Sequence, residues 1–145
     1  MPNLIIALFA APAALFFALS VKAPPKQALI AGLLSGSGYF VSILLKRELT
    51  DAAAVFFAAL FICLMAETAA RLIKTPATVF VIPSIIPLVP GVRLYRTILL
   101  FGAGDNYGGV TGIVQVLLIT GALSMAVTVA TLTAKIIFRQ RREKL

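Results

Sequence analysis

Long apolar segments, separated by short charged or proline-containing segments, make up nearly the whole chain. A helix that crosses a bilayer needs about 20 mostly apolar residues, and five segments approach this length. They cover residues 4–21, 27–45, 51–72, 77–101 and 108–134, and a basic tail follows at 135–145. The pattern predicts an all-α integral membrane protein in which residues 1–145 form a single transmembrane domain of about five helices.

Charged residues and prolines mark the ends of these segments. Lys22 and the Pro24-Pro25 pair end the first segment, because proline cannot continue a helix. Thr50 and Asp51 fit the start of the third segment as an N-cap pair. The first segment has no Lys or Arg before its apolar run, so we expect it to be retained as a span and not cleaved as a signal peptide.

The basic residues are unevenly distributed between the predicted loops. With the N-terminus outside and five crossings, nine Lys and Arg residues lie on the cytoplasmic side and four on the outer side. Cytoplasmic loops are enriched in Lys and Arg, so we predict an inner (cytoplasmic) membrane protein with its N-terminus outside and its C-terminus in the cytoplasm. If the fourth segment dips into the bilayer and returns, four crossings remain and the count changes.

The fourth segment is irregular, with Pro83, Pro87, Pro90 and Gly91 close together. Each interior proline removes a backbone donor and clashes with the carbonyl four residues back, so we predict that this span is broken. Backbone groups freed in hydrocarbon must be buried in protein or line a cavity. Secondary transporters use broken helices of this kind at their substrate sites, and a structural kink is the alternative.

A few charged side chains in or beside the spans are candidates for function. Arg93 and Arg96 lie one helical turn apart, with Tyr95 between them. The two arginines could hold a carboxylate, or they could extend to the lipid headgroups. Glu67 precedes Arg71 by four residues, which is the spacing of an intrahelical ion pair. In a cavity, Glu67 could instead carry a proton.

Small residues recur on two of the predicted spans. Gly32 and Gly36 form a G-x-x-x-G motif in the second span, a pattern typical of close helix packing. A second set lies on the fifth span: Gly108, Gly109, Gly112 and Gly121. Both sets predict faces on which helices pack, because a nucleotide-binding glycine loop is not compatible with a bilayer.

The composition excludes most soluble functions. Hydrophobic residues make up 61% of the chain and charged residues 12%, whereas about 25% charged residues is usual in soluble domains. The chain has no histidine, which excludes imidazole metal sites and Ser-His-Asp hydrolases. Its one cysteine, Cys63, lies in an apolar run and has no partner for an internal disulfide. We expect no enzyme activity, no cofactor and no metal.

The net charge of +8 does not indicate nucleic-acid binding. The Lys and Arg residues flank apolar segments, whereas a nucleic-acid site combines a basic groove with interleaved aromatic residues. We therefore expect the lipid bilayer as a partner and no nucleic acid.

The sequence around the fourth segment resembles a known family. Residues 67–71 read E-T-A-A-R, and residues 74–95 read K-T-P-A-T-V-F-V-I-P-S-I-I-P-L-V-P-G-V-R-L-Y. This stretch is similar to the C-terminal membrane half of the threonine/serine exporter (ThrE) family, which also occurs as a small separate subunit of the YjjB type. The residues that match the family pattern are Glu67, Arg71, Pro76, Pro83, Pro87, Pro90, Gly91 and Tyr95. Arg93 and Arg96 depart from it.

The resemblance implies a five-span membrane subunit that exports small hydroxy amino acids or, in some split systems, a dicarboxylate. It also implies a partner, a larger membrane subunit that resembles the N-terminal half of the family; a homo-oligomer is the alternative assembly. The predicted substrate pathway contains these residues: Pro83, Pro87, Pro90, Gly91, Arg93, Tyr95 and Arg96. Glu67 and Arg71 are predicted to act in proton coupling or as an ion pair.

Two classes of function remain after the sequence analysis. The first is the exporter subunit, and the second is a membrane scaffold or assembly protein that does not transport. A small multidrug exporter is a weaker alternative, because such proteins use an acidic residue in the first span and this chain has none there.

Overall fold

The computed structural model describes residues 2–142, and the side chains of residues 5–137. Six α-helices occupy this range, and no strand occurs in it. They are α1 (Pro2–Ser20), α2 (Pro25–Leu45), α3 (Asp51–Ile73), α4 (Thr78–Ile85), α5 (Gly91–Gly102) and α6 (Asn106–Arg142). The predicted all-α class is confirmed. Most side chains of the predicted basic tail lie outside the described residues.

Length and composition make three helices of the described chain candidates for crossing a bilayer. These are α2, α3 and the part of α6 from Asn106 to Ile137. A fourth candidate is the pair formed by α4 and α5, which is bent by 44° at the break between them. α1 contributes a shorter apolar helix, Ile5–Ser20. Together these segments form a multi-pass helical membrane protein with a broken fourth span.

The ends of the helices follow from local chemistry. Pro25 is the first residue of α2, where its missing N–H removes no intrahelical hydrogen bond. The hydroxyl of Thr50 accepts a hydrogen bond of 3.4 Å from the backbone N–H of Ala53 and caps α3. Gly104 adopts a φ of +83°, a conformation that glycine reaches without strain, in the short turn between α5 and α6.

α1 and α2 pack closely at the two glycines of the G-x-x-x-G motif. A Cβ atom added at Gly32 would lie 2.9 Å from the carbonyl oxygen of Ala11, and one at Gly36 would lie 3.0 Å from the Cβ of the same alanine. A larger side chain at Gly32 would therefore force the two backbones apart. This close contact fixes α1 against α2 through van der Waals packing, the main attraction between helices in a bilayer.

The core lies where α3 meets α6 and the 3-10 turn at Ile86–Leu88. Its buried side chains come from all three elements: Val55, Ala58, Ala59, Ile62, Leu88, Ile119, Leu123 and Ala126. Half of these residues are alanine or valine, and such small side chains allow helices to approach closely. A second buried group, Ala66, Ala70 and Phe80, joins α3 to α4. The broken segment is thus packed inside the bundle on one side.

The break lies later in the fourth segment than its first proline. Pro83 lies within α4, which continues to Ile85, because a single proline removes one donor and leaves the other hydrogen bonds in place. The 3-10 turn contains Pro87, and Pro90 precedes the first residue of α5. The bend of 44° does not reverse the chain direction. α5 therefore carries the chain onward before α6 returns.

Ser84 joins the broken segment to α2. Its hydroxyl is fully buried and lies 3.0 Å from the carbonyl oxygen of Ala31 and 2.7 Å from that of Phe80. A hydroxyl within reach of a carbonyl on another helix supplies a polar contact in the apolar interior. This contact positions α4 one turn before the break.

Candidate functional site

One carboxylate joins three helices at the beginning of α5. Asp51, in the first turn of α3, forms an ion pair with Arg93 of α5, and its other oxygen lies 3.8 Å from Nζ of Lys46 just after α2. The Arg93 guanidinium also lies 3.4 Å from Oε1 of Gln115 on α6. The side chains of Arg93 and Asp51 are 40% and 38% exposed. In this polar cluster, more than a third of each of these two side chains is therefore left uncovered by the helices of this chain.

Three cavities meet at Arg93. The largest, about 470 Å³, lies between α5 and α6 and is called the hairpin cleft; Arg93, Arg96, Thr97, Tyr107, Thr111 and Gln115 contribute to its lining. The break pocket, about 190 Å³, is lined by Tyr39, Lys46, Asp51, Pro87, Pro90 and Arg93, among others. The side pocket, about 410 Å³, lies between α3 and α6 and includes Asp51, Arg93 and Gln115. The Arg93 side chain is a wall shared by all three.

The hairpin cleft has arginines on one wall and hydroxyl and amide groups on the other. Thr97 donates its hydroxyl proton to the carbonyl of Arg93 at 2.8 Å, and Thr111 donates to that of Tyr107 at 3.0 Å. Both hydroxyl protons are therefore already used within the helices. The side-chain donors that remain for a bound anion belong to the two guanidinium groups, to the amide of Gln115 and to the hydroxyl of Tyr107.

A groove of about 350 Å³ lies at the other end of the broken segment. Lys22 and Pro24, which follow α1, line it together with Thr78 and Ile82 of α4. The break pocket begins at Pro87, so cavities flank the buried turn around Ser84 at both ends. Two cavities therefore lie on either side of this buried turn.

The structure brings some of the predicted pathway residues together. Pro87 and Pro90 line the break pocket with Arg93, and Arg93 and Arg96 line the hairpin cleft. An added Cβ at Gly91 would meet no atom within 4 Å.

The remaining pathway residues lie apart from that group. Tyr95 is 63% exposed on α5, and Pro83 is fully buried in α4. Of the seven predicted pathway residues, three line neither the hairpin cleft nor the break pocket: Pro83, Gly91 and Tyr95.

Glu67 and Arg71 lie far from this cluster. The Arg71 guanidinium is 3.4 Å from Oε2 of Glu67, and the Glu67 side chain is 14% exposed. Asp51 and Glu67 are about 24 Å apart along α3 at the rise of an ideal helix. The Glu67–Arg71 pair therefore belongs to the opposite end of the bundle from the hairpin cleft.

Asp51, Lys46 and Gln115 are members of the cluster that the sequence pattern does not predict. Asp51 fits a helix cap by its position, but Thr50 provides the cap and the Asp51 carboxylate pairs with Arg93. The sequence does contain a signal for Asp51, because the chain has only five acidic residues and an arginine near the bilayer requires a partner. Gln115 is a polar amide within an apolar run, and it likewise requires a polar partner.

The described part of the chain offers no group of three acidic or cysteine side chains that could hold a metal ion. The side chains of the polar cluster offer ionic and hydrogen-bonding contacts. Arginine, lysine, glutamine and tyrosine side chains can bind and orient a small polar solute without covalent change.

Comparison with known proteins completes this description. No curated protein and no solved structure matches the chain. A family model described as "Threonine/Serine exporter, ThrE" matches residues 6–133 and so covers the broken span, the polar cluster and the hairpin cleft. The chain is therefore a member of the threonine/serine exporter (ThrE) family.

Proposed function

We propose that this protein is the membrane subunit of a secondary exporter of small polar metabolites, either threonine/serine-type amino acids or a dicarboxylate. The observation that carries this proposal is the position of the break: Pro87 and Pro90 line a pocket that also contains Lys46, Asp51 and Arg93. Broken helices beside charged cavities form the substrate sites of many secondary transporters. A structural kink alone gives no reason for three charged side chains to meet beside it.

The proposed pathway follows the broken segment. A substrate enters by the groove near Lys22, passes the constriction around Ser84 and leaves through the break pocket and the hairpin cleft. Pro87, Pro90 and Gly91 shape this route in the proposal, Tyr95 lies outside its two cavities, and Glu67 is the candidate proton carrier. The buried turn at Ser84 supports a gated route, because cavities lie at both of its ends.

The proposal includes a larger membrane subunit as partner. A chain of 145 residues encloses little volume, and transporter sites commonly lie between two halves related by symmetry. An odd number of crossings allows two paired halves to run in opposite directions. In this proposal the protein lies in the inner membrane with its N-terminus outside and its C-terminus in the cytoplasm.

Transport by reconstituted protein tests the function. The chain is placed in proteoliposomes with and without the larger subunit, and the flux of labelled L-threonine and of labelled succinate is measured. We expect flux of one of them with both subunits and none with either subunit alone. Flux with the small chain alone would mean that a homo-oligomer suffices, and no flux in any combination would favour the scaffold alternative.

A variant of the break separates pathway from scaffold. Replacement of Pro90 and Gly91 by alanine allows α4 and α5 to join more regularly, so we expect normal insertion with transport reduced about tenfold, the scale of loss that a misplaced site produces.

Cysteines introduced at Asn3 and Leu145 in a Cys63→Ala background test the orientation with a membrane-impermeant label. Labelling of both ends from the same side would contradict five crossings.

A further inference from the structure

We infer that the hairpin cleft is a carboxylate-binding subsite. In this subsite Arg96 is the cation that has no ion-pair partner within the described part of the protein, and Arg93 leaves Asp51 to pair with the carboxylate of the ligand. This inference names the ligand chemistry of the proposed exporter and in that respect rests on the proposed function. It assigns roles to Arg93 and Arg96.

Arg96 supplies the first part of the argument. It lies one helical turn after Arg93, and both side chains line the hairpin cleft. Among the side chains of residues 5–137, Arg96 takes part in no hydrogen bond or ion pair. An arginine that faces a cavity with all of its donors free is suited to a planar carboxylate, which accepts two parallel hydrogen bonds from one guanidinium.

The second part is the charge balance around Arg93. Two cations, Lys46 and Arg93, pair with one carboxylate, Asp51, and a third cation, Arg96, lines the hairpin cleft beside Arg93. The carboxylate of Asp105 adjoins the far mouth of the cleft, where its Oδ1 accepts a hydrogen bond of 2.9 Å from the backbone N–H of Gly108. An excess of positive charge therefore remains at the Arg93 end of the cleft, and it favours an anionic ligand there.

The third part is that the Arg93–Asp51 pair can be exchanged. Both side chains are more than a third exposed in the isolated chain, and an ion pair that lies in a water-filled route contributes little to stability. Gln115 contacts the same guanidinium through a different nitrogen, so Arg93 keeps one contact when it leaves Asp51. A carboxylate in the cleft then competes with Asp51 for the same donor group.

The consequence of exchange is a change in the cavities themselves. Arg93 is a shared wall of the hairpin cleft, the break pocket and the side pocket. When its guanidinium turns from Asp51 towards a ligand in the cleft, the barrier between the cleft and the break pocket is removed. In this inference, the movement of the Arg93 side chain that binds the carboxylate also opens the route.

Equilibrium binding to the purified full chain in lipid nanodiscs tests the subsite. The probes are L-threonine and succinate, with L-threoninamide and succinamide as analogues that lack the carboxylate. We expect at least one of the two carboxylates to bind by calorimetry and its amide analogue not to bind. We also expect Arg96→Gln and Arg93→Gln each to weaken binding about tenfold, the scale of one charge-assisted hydrogen-bonded contact.

Asp51→Asn is the most discriminating variant, because it is expected to strengthen carboxylate binding, whereas the arginine variants weaken it. Removal of the internal competitor should tighten carboxylate binding about threefold, whereas an Asp51 that merely positions Arg93 would give weaker binding on substitution. Arg47→Gln and Glu48→Gln are the matched controls, because they remove one positive and one negative charge from the loop beside Lys46. Both should leave the affinity for the carboxylate unchanged. Circular dichroism checks that each variant folds, and Arg93→Lys, which keeps the charge but loses the planar fork, should bind more weakly than the unmodified chain.

Several results would overturn the inference. These are no binding of either carboxylate, equal binding of the amide analogues, equal binding of inorganic phosphate, or weaker binding by Asp51→Asn. Failure of this subsite is distinguishable from failure of the proposed function. Transport without the expected binding pattern removes the subsite alone, and the binding pattern without transport removes the exporter function alone.

Discussion

The α1–α2 and α5–α6 hairpins both bring two helices together at glycines, but the second also encloses a cavity. In α1–α2, Gly32 packs against the backbone of Ala11. In α5–α6, Gly112 packs against the side chain of Thr97, while two arginines from the same face of α5 hold open the hairpin cleft. Close approach at a glycine therefore serves packing in the first hairpin, and in the second it positions a polar face.

The difference teaches where function is to be sought in a chain rich in small residues. Glycines and alanines occur in both hairpins, so small residues do not distinguish them. Charged and amide side chains distinguish the two hairpins, because each such side chain must find a partner or water near the bilayer. The α5–α6 hairpin contains such groups on its inner face, and its cleft is therefore expected to respond to substitution in transport and not in stability.

The largest expected effect is on transport when the cleft is filled. Thr111 lines the cleft and is exposed, so Thr111→Leu should change the free energy of unfolding by less than about 0.5 kcal/mol. We expect transport to fall about tenfold, because the larger side chain occupies the substrate route. Flux measurements in proteoliposomes and unfolding in detergent micelles together check this outcome.

Thr128→Leu is the matched control for that variant. Thr128 lies on the same helix, is also exposed, and donates its hydroxyl to the carbonyl of Ser124 at 2.9 Å, as Thr111 does to that of Tyr107 at 3.0 Å. We expect transport by Thr128→Leu to be unchanged. An equal loss of transport in both variants would contradict a specific role for the cleft.

The opposite result is expected in the α1–α2 hairpin. Gly32→Leu places a side chain against the Ala11 carbonyl, so it should destabilise the protein by about 1 to 3 kcal/mol, the usual cost of overpacking. Gly121→Leu is the control, because an added Cβ at Gly121 meets no atom within 4 Å. Unfolding of both variants in detergent micelles, followed by circular dichroism, measures the difference, and equal stability would mean that α1 is not held at Gly32.

The smallest expected effect concerns the far end of α3. Glu67→Gln keeps the shape of the side chain but cannot carry a proton, so transport at neutral pH should remain within about twofold of the original while its dependence on pH becomes flatter. Flux measured from pH 5 to pH 8 tests this, with Glu48→Gln as the control. An unchanged pH profile would leave Glu67 a structural partner of Arg71 and would separate it from the pathway.

Much of the fold could be predicted because its boundaries are local. Lys22, the Pro24-Pro25 pair and Thr50 mark helix ends through backbone chemistry that operates within a few residues. The break between α4 and α5 was predictable for the same reason, since it follows from proline geometry. The one local detail that differed is Pro83, which α4 accommodates without ending.

The polar cluster could be predicted only in part, because it depends on contacts between distant segments. Arg93 pairs with Asp51 of α3 and contacts Gln115 of α6, and no spacing along the chain places these three together. The sequence identified Arg93 as a charge in need of a partner, but the choice of partner depends on how the helices pack. No local pattern indicates that Tyr95 lies outside the cavities that its neighbours line.

The bend between α4 and α5 has a mechanical consequence. α5 contains 12 residues and is about 18 Å long at the rise of an ideal helix, so it forms a lever whose hinge is at Pro90. A rotation of about 10° at this hinge displaces the far end of α5 by about 3 Å but moves the backbone of Arg93 by less than about 1 Å. Because residues 103–105 join the far end of α5 directly to α6, such a rotation also shifts the beginning of α6, while the guanidinium of Arg93 remains within reach of Asp51.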